Sequence, residues 1–153
     1  MKYLLFFFVL LLSLFITCHT LNQPKAIEIY DENTNEMIVS FPIEPGERFY
    51  IEYTHSMYET KQWEMYVVEE DGFLLEHVEF ESFDAANYYG NKRDTAKFQD
   101  DFQFGNWQIT RNQSLDTIRF RVPYLYPLVI GYHDERLTIQ HYTHSGTPIV
   151  IQF

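Results

Sequence analysis

The side chains best equipped for chemistry in this 153-residue chain stand in two short runs. Tyr53-Thr54-His55-Ser56 is followed by Glu59 and Glu64, and Tyr142-Thr143-His144-Ser145 follows His141. Two imidazoles and two carboxylates are donors that zinc and similar ions accept, so His55, Glu59, Glu64 and His144 form one candidate metal set, provided loops converge to bring them together. His141 and His144 are three residues apart and face opposite ways in an extended strand, unless Ser145-Gly146 has already begun a turn. Ser56 adjoins His55, but neighbouring strand residues diverge and no Gly-x-Ser-x-Gly elbow is present, which argues against a histidine-activated serine nucleophile and hence against a hydrolase. The alternative is a structural or partner-facing corner, in which His55 caps a strand and fixes the following loop through hydrogen bonds. The second Tyr-Thr-His-Ser copy has different flanks and reads as chance in a chain with 12 tyrosines.

The elements that must position these groups are short and β-prone. Phe49, Ile51 and Tyr53 alternate with Tyr50, Glu52 and Thr54, so parity turns His55 toward the apolar face. Gln62 to Val68 alternates again, with Trp63, Met65 and Val67 on one side and Gln62, Glu64 and Tyr66 on the other, which predicts that Glu64 faces away from the core. Asp71-Gly72 signals a hairpin into Phe73 to Phe80, where Leu74, Val78 and Phe80 share a face interrupted by Glu76. Earlier, Ala26 to Tyr30 and Met37 to Phe41 form a first hairpin, with Asn35 suited to a left-handed conformation in the turn.

Residues 84 to 106 form the least regular stretch, which is a functional flap, a surface loop pinned by its aromatics, or cover for a short strand or helix. Its Tyr88, Tyr89, Phe98, Phe102 and Phe104, with Trp107, line either a binding surface or the local core. Trp107 to Thr110, Thr117 to Val122, Leu128 to Tyr132, Arg136 to His141 and Pro148 to Phe153 complete the strands. The expectation is an all-β fold: a single antiparallel β-sandwich or partly closed barrel of about nine or ten short strands after an N-terminal hydrophobic signal helix, with no helix evident elsewhere beyond the short one that residues 84 to 106 could cover.

Tyr3 to Thr17 is uncharged, follows Lys2 and leads into Cys18 and a polar stretch. Fifteen such residues match the hydrophobic part of a secretory signal and fall short of the roughly 20 that span a bilayer as a helix. Cys18, the single cysteine, stands where a bacterial lipoprotein signal places its acylated residue, although Phe15, Ile16 and Thr17 depart from the usual preceding residues. Residues 1–24 are therefore a signal peptide, a lipoprotein signal or a membrane anchor, and residues 25–153 a single extracytoplasmic β domain of a size suited to one core. One cysteine allows no intramolecular disulfide and no multi-cysteine zinc or redox motif. After Lys2 the chain carries ten basic against 22 acidic residues, a balance that repels phosphates and argues against nucleic acid as a partner.

Around Tyr53-Thr54-His55-Ser56 the chain resembles a bacterial family of small exported proteins, domain of unknown function 1850. Glu64 falls at that family's acidic position, and Phe80 with Ser82 matches the start of its Phe-x-Ser-x-Gly-Ala-Gly element, while Asp84-Ala85-Ala86 stands in place of Gly-Ala-Gly. The resemblance extends over most of residues 26 to 141. It implies an accessory of tripartite ATP-independent periplasmic transporters whose solute receptor is of the TAXI type, with the transporter's membrane or solute-receptor subunit as partner, the membrane engaged through the N-terminal segment, and no cofactor. His55, Ser56, Glu64 and Ser82 then form a polar cluster that orders the domain or contacts the partner. A small-ligand or metal-binding module on the same residues is the alternative reading.

Overall fold

The structure is a computed structural model that describes residues 25–90, 96–98 and 103–153. Residues 1–24 with Cys18, and Phe102, lie outside the described residues. The sandwich expected from the alternating runs is present as two antiparallel sheets that do not close into a barrel. The four-stranded sheet holds β1 (Ala26–Asp31), β2 (Met37–Pro42), β8 (Ile118–Arg121) and β11 (Pro148–Gln152), in the order β2-β1-β11-β8. The seven-stranded sheet holds β3 (Arg48–His55), β4 (Thr60–Glu69), β5 (Gly72–Phe80), β6 (Lys97–Phe98), β7 (Trp107–Leu115), β9 (Val129–Tyr132) and β10 (Glu135–Thr138), in the order β10-β9-β3-β4-β5-β7-β6.

One core lies between the sheets because every second residue of each strand turns inward. Ile27, Ile29, Ile118, Ile149 and Ile151 come from one sheet, and Phe49, Ile51, Tyr66, Val78 and Ile109 from the other. Aromatic pairs tie the layers together: Phe41 stacks on Tyr132 at 4.2 Å, and Tyr53 meets Phe120 edge-on at 5.5 Å. Within the larger sheet Phe49 stacks on Tyr66 and meets Phe73 edge-on, contacts worth about 0.5–1.5 kcal/mol each beyond burial. The turn signals act as expected. Asn35 has φ 59°, and Gly72 takes φ 142° where a Cβ would lie 2.5 Å from the Leu115 carbonyl oxygen.

The facing of β4 is the reverse of the expectation. In the β3–β4 register Phe49 opposes Tyr66, Ile51 opposes Glu64 and Tyr53 opposes Gln62, so Glu64 shares the core face with Ile51. Trp63 and Met65 are buried on the opposite face, which residues 103–106 cover. There Phe104 stacks on Trp63 at 5.5 Å and packs on Tyr50 at 4.5 Å. Gly105 runs so close to β5 that a Cβ would lie 2.5 Å from the Phe80 carbonyl oxygen.

The interrupted face of β5 has a local cause. The register shifts between Leu75 and His77, so Glu76 is a bulge residue that reverses parity. Phe73 and Leu75 point inward before it, Val78 and Phe80 after it, and Glu76 takes a two-pronged bond from Arg48 at 3.0 and 3.1 Å.

Of the alternatives for the irregular stretch the covered short helix is the one found, and one expected strand is shorter than its pattern implied. A short helix, α1 (Phe83–Tyr89), is present: Ser82 Oγ accepts the Ala85 N–H at 3.2 Å, Asp84 sits in its first turn, and Ala85 and Ala86 are fully buried. Small residues at those two positions let it lie against the sheet. The strand expected over Arg136 to His141 ends at Thr138, and Ile139–His141 is a 3-10 turn. It turns because Gln140 folds back on the 123–128 loop, donating to the carbonyls of Pro123 and Tyr126 and accepting the Leu128 N–H. No helix among the described residues is long and apolar enough to cross a membrane.

Candidate functional site

The Tyr53 to Ser56 run ends β3 at one end of the sandwich. The chain then reverses through a tight turn in which the Glu59 N–H donates to the His55 carbonyl at 2.8 Å and Glu59 takes φ 53°. His55 is half-buried, with its ring against Tyr58 at 5.1 Å and Tyr88 at 5.5 Å. Its Nδ1 accepts the Met57 N–H at 3.3 Å, which leaves Nε2 as the protonated, donating nitrogen of the neutral ring. Ser56 is exposed. Opposite His55 in register is Thr60, whose hydroxyl lies 3.3 Å from Ser82 Oγ, so strand end and helix cap meet at one corner.

Glu64 stands apart from that corner, four residues along β4 from Thr60, or about 13 Å of strand. Only 8% of it is exposed, and its carboxyl takes hydroxyl bonds from Tyr53 at 2.8 Å and from Tyr66. Burial pushes its pKa above the usual carboxylate range, against the pull of the two hydroxyls and the charge of Arg111. The Tyr53 and Tyr66 hydroxyls are pushed up in turn, by burial first and then by Glu64. Tyr53 spends its one proton on Glu64 and accepts from Gln62 Nε2. That fixes the Gln62 amide and leaves its Oε1, in a residue 1% exposed, without a partner among the described residues.

A cavity of about 550 Å³ opens between the His55 corner and the loop after β8. Tyr53, Val122, Pro123, Tyr124, Leu125 and Tyr126 supply the apolar wall, and His55, Ser56, Gln62 and Arg121 the polar groups. Its rim is apolar and exposed: Tyr124 is 77% exposed, Leu125 85%, and Met57, next to Ser56, 60%. Residues 121–126 were missed as functional from the sequence. Their signal is Pro123-Tyr-Leu-Tyr-Pro127, three large apolar residues held between prolines in a loop, where polar turn residues are the norm.

Two further carboxylates are buried on the outer face of the larger sheet. Glu52 takes bonds from Trp63 Nε1 at 3.0 Å, Lys61 at 2.9 Å and Arg136 at 2.8 Å. Burial alone would raise its pKa, and these three donors outweigh burial and hold it below the usual range. Glu79 accepts the Phe104 N–H at 2.8 Å and the Gly105 N–H at 3.0 Å, so it pins the covering segment to the sheet. These groups build the fold and do not line the cavity.

The aromatics of the irregular stretch divide in the same way. Tyr89 packs against the core and Phe104 and Trp107 are partly buried, while Tyr88 and Phe98 are exposed. Among the described residues no group of three His, Cys, Asp or Glu side chains is arranged to hold a metal ion, and no hydrogen bond joins His55 to Ser56. The corner therefore offers a lined concavity with exposed apolar edges. No protein-family model, no curated protein and no solved structure matches this chain.

Proposed function

We propose that this chain is an exported, membrane-tethered, non-enzymatic accessory protein of bacteria, working beside a TAXI-type tripartite ATP-independent periplasmic transporter. The resemblance carried by Tyr53-Thr54-His55-Ser56, Glu64 and Ser82 supplies the transporter setting. The observation that carries the interaction role is the exposure of Tyr124 and Leu125 in the wall of the cavity that Tyr53 to Ser56 help to line, with Met57 exposed beside Ser56. Large apolar side chains held together in water at a concave site favour a partner surface.

The geometry favours the solute receptor over the membrane subunit as that partner. Lys25 pairs with Glu70 in the β4–β5 turn, whereas the cavity lies at the β3–β4 turn, the other end of a ten-residue strand. A tether preceding Lys25, through Cys18 or an uncleaved segment, then joins the domain roughly 30 Å along the strand from the rim, which leaves the rim free to meet a soluble receptor.

The test is photo-crosslinking in cells from a benzophenone residue placed at Met57 or Leu125, with adducts identified by mass spectrometry. An adduct with the transporter's receptor supports the proposal. Recovery of no transporter component from either position, while expression and folding are normal, overturns it.

A further inference from the structure

The cavity has a chemistry that a protein contact at its rim does not explain. The chain carries twice as many acidic as basic residues, yet no described carboxylate lines the cavity. Among the described residues Arg121 is the one charged liner. Its NH1 donates to the Gly146 carbonyl at 2.7 Å, which holds the guanidinium in place, and no described carboxylate neutralises it at salt-bridge distance. His55 and Ser56, side chains able to donate, line the same cavity, and the Glu64 carboxyl is already capped by two tyrosine hydroxyls. Donors at the polar side, apolar and aromatic walls elsewhere, and a volume inside the range of small-molecule sites together describe a receptor for an amphipathic anion.

We infer that the cavity between the β3–β4 turn and residues 121–126 binds a small organic acid with an apolar or aromatic body, its carboxylate on Arg121. The body lies against Val122, Pro123, Leu125 and the neighbouring tyrosines. This inference goes beyond the transporter proposal and stands without it, because it needs only the purified chain and an acid.

The experiment is isothermal titration of the full chain in lipid nanodiscs with phenylacetate and with its uncharged counterpart 2-phenylethanol, empty nanodiscs being subtracted. Phenylacetate is expected to bind at least about tenfold more tightly than the alcohol, the discrimination that a charge-assisted carboxylate bond supplies. Arg121→Gln should erase that preference and leave alcohol binding unchanged. Because Arg121 also bonds to Gly146, a second variant tests the same point without touching the fold. Met57→Glu, at a position 60% exposed and outside the residues that line the cavity, places a negative charge beside Ser56 and should weaken phenylacetate several-fold with little effect on the alcohol. Equal binding of acid and alcohol, binding of neither, or an acid preference that survives both substitutions overturns the inference.

Discussion

The buried Glu64 makes a prediction in which one substitution changes sign with its background. Tyr66 is 2% exposed, and Glu64 is the acceptor of its hydroxyl. Tyr66→Phe in the natural protein takes one of two donors from a buried carboxyl and is expected to lower stability by about 1–3 kcal/mol. In Glu64→Leu the acceptor is gone, and the same hydroxyl becomes a buried donor without a partner. Removing it there should raise stability by about 1–3 kcal/mol, so the double-mutant cycle shows a large coupling of opposite single effects.

Equilibrium urea unfolding followed by circular dichroism reads both numbers. The pH dependence supplies an independent check. The folded state holds the Glu64 proton more tightly than the unfolded chain does. Its contribution is therefore complete below the unfolded carboxylate pKa and is lost as pH rises through the raised folded value. The stability difference between the natural protein and Glu64→Leu should be widest in acid and narrow toward neutral pH. Equal costs of Tyr66→Phe in both backgrounds would refute the reasoning, because the hydroxyl would then have a partner other than Glu64.

Three other perturbations test how the covering segment and the corner are held. Glu79→Ala frees the Phe104 and Gly105 amides and should cost about 1–3 kcal/mol, with faster hydrogen exchange at both. Burial would raise the Glu79 pKa, but His77 and those amides hold it below the usual range, so its contribution is present above the unfolded carboxylate pKa and lost as pH falls through the depressed one; the variant should lack that acid-side loss. Gly105→Ala drives a Cβ into the β5 backbone at Phe80 and should destabilise by about 1–3 kcal/mol, read by thermal denaturation. Ser82→Ala removes the cap of α1 at a cost of about 1 kcal/mol, and exchange protection should fall in residues 83–89 with β4 unchanged.

Much of the fold was legible in particular residues. Alternation at Phe49, Ile51 and Tyr53 placed β3 and the facing of His55, and Asp71-Gly72 and Asn35 marked turns through their backbone preferences. The helix was missed because its seven residues are too few to establish a 3.6-residue period, although Ser82 and Asp84 carried its start signals. The corner itself was marked by sequence, but its opposite wall was not. Arg121 is 65 residues beyond Ser56 and reaches it only because β8 lies in the sheet packed over β3.

Glu64 shows where sequence stops and tertiary structure decides. Period-two alternation determined that Gln62, Glu64 and Tyr66 share one face and Trp63 and Met65 the other. It says nothing about which face meets the second sheet, and hydrophobicity misleads when both faces are covered. Residues 103–106 bury the apolar face on the outside, while Tyr53 and Tyr66 supply the hydroxyls that let a carboxyl stay in the core. Local pattern determines parity because the pleat is a property of the backbone. Inside and outside are settled by packing between segments far apart in the chain.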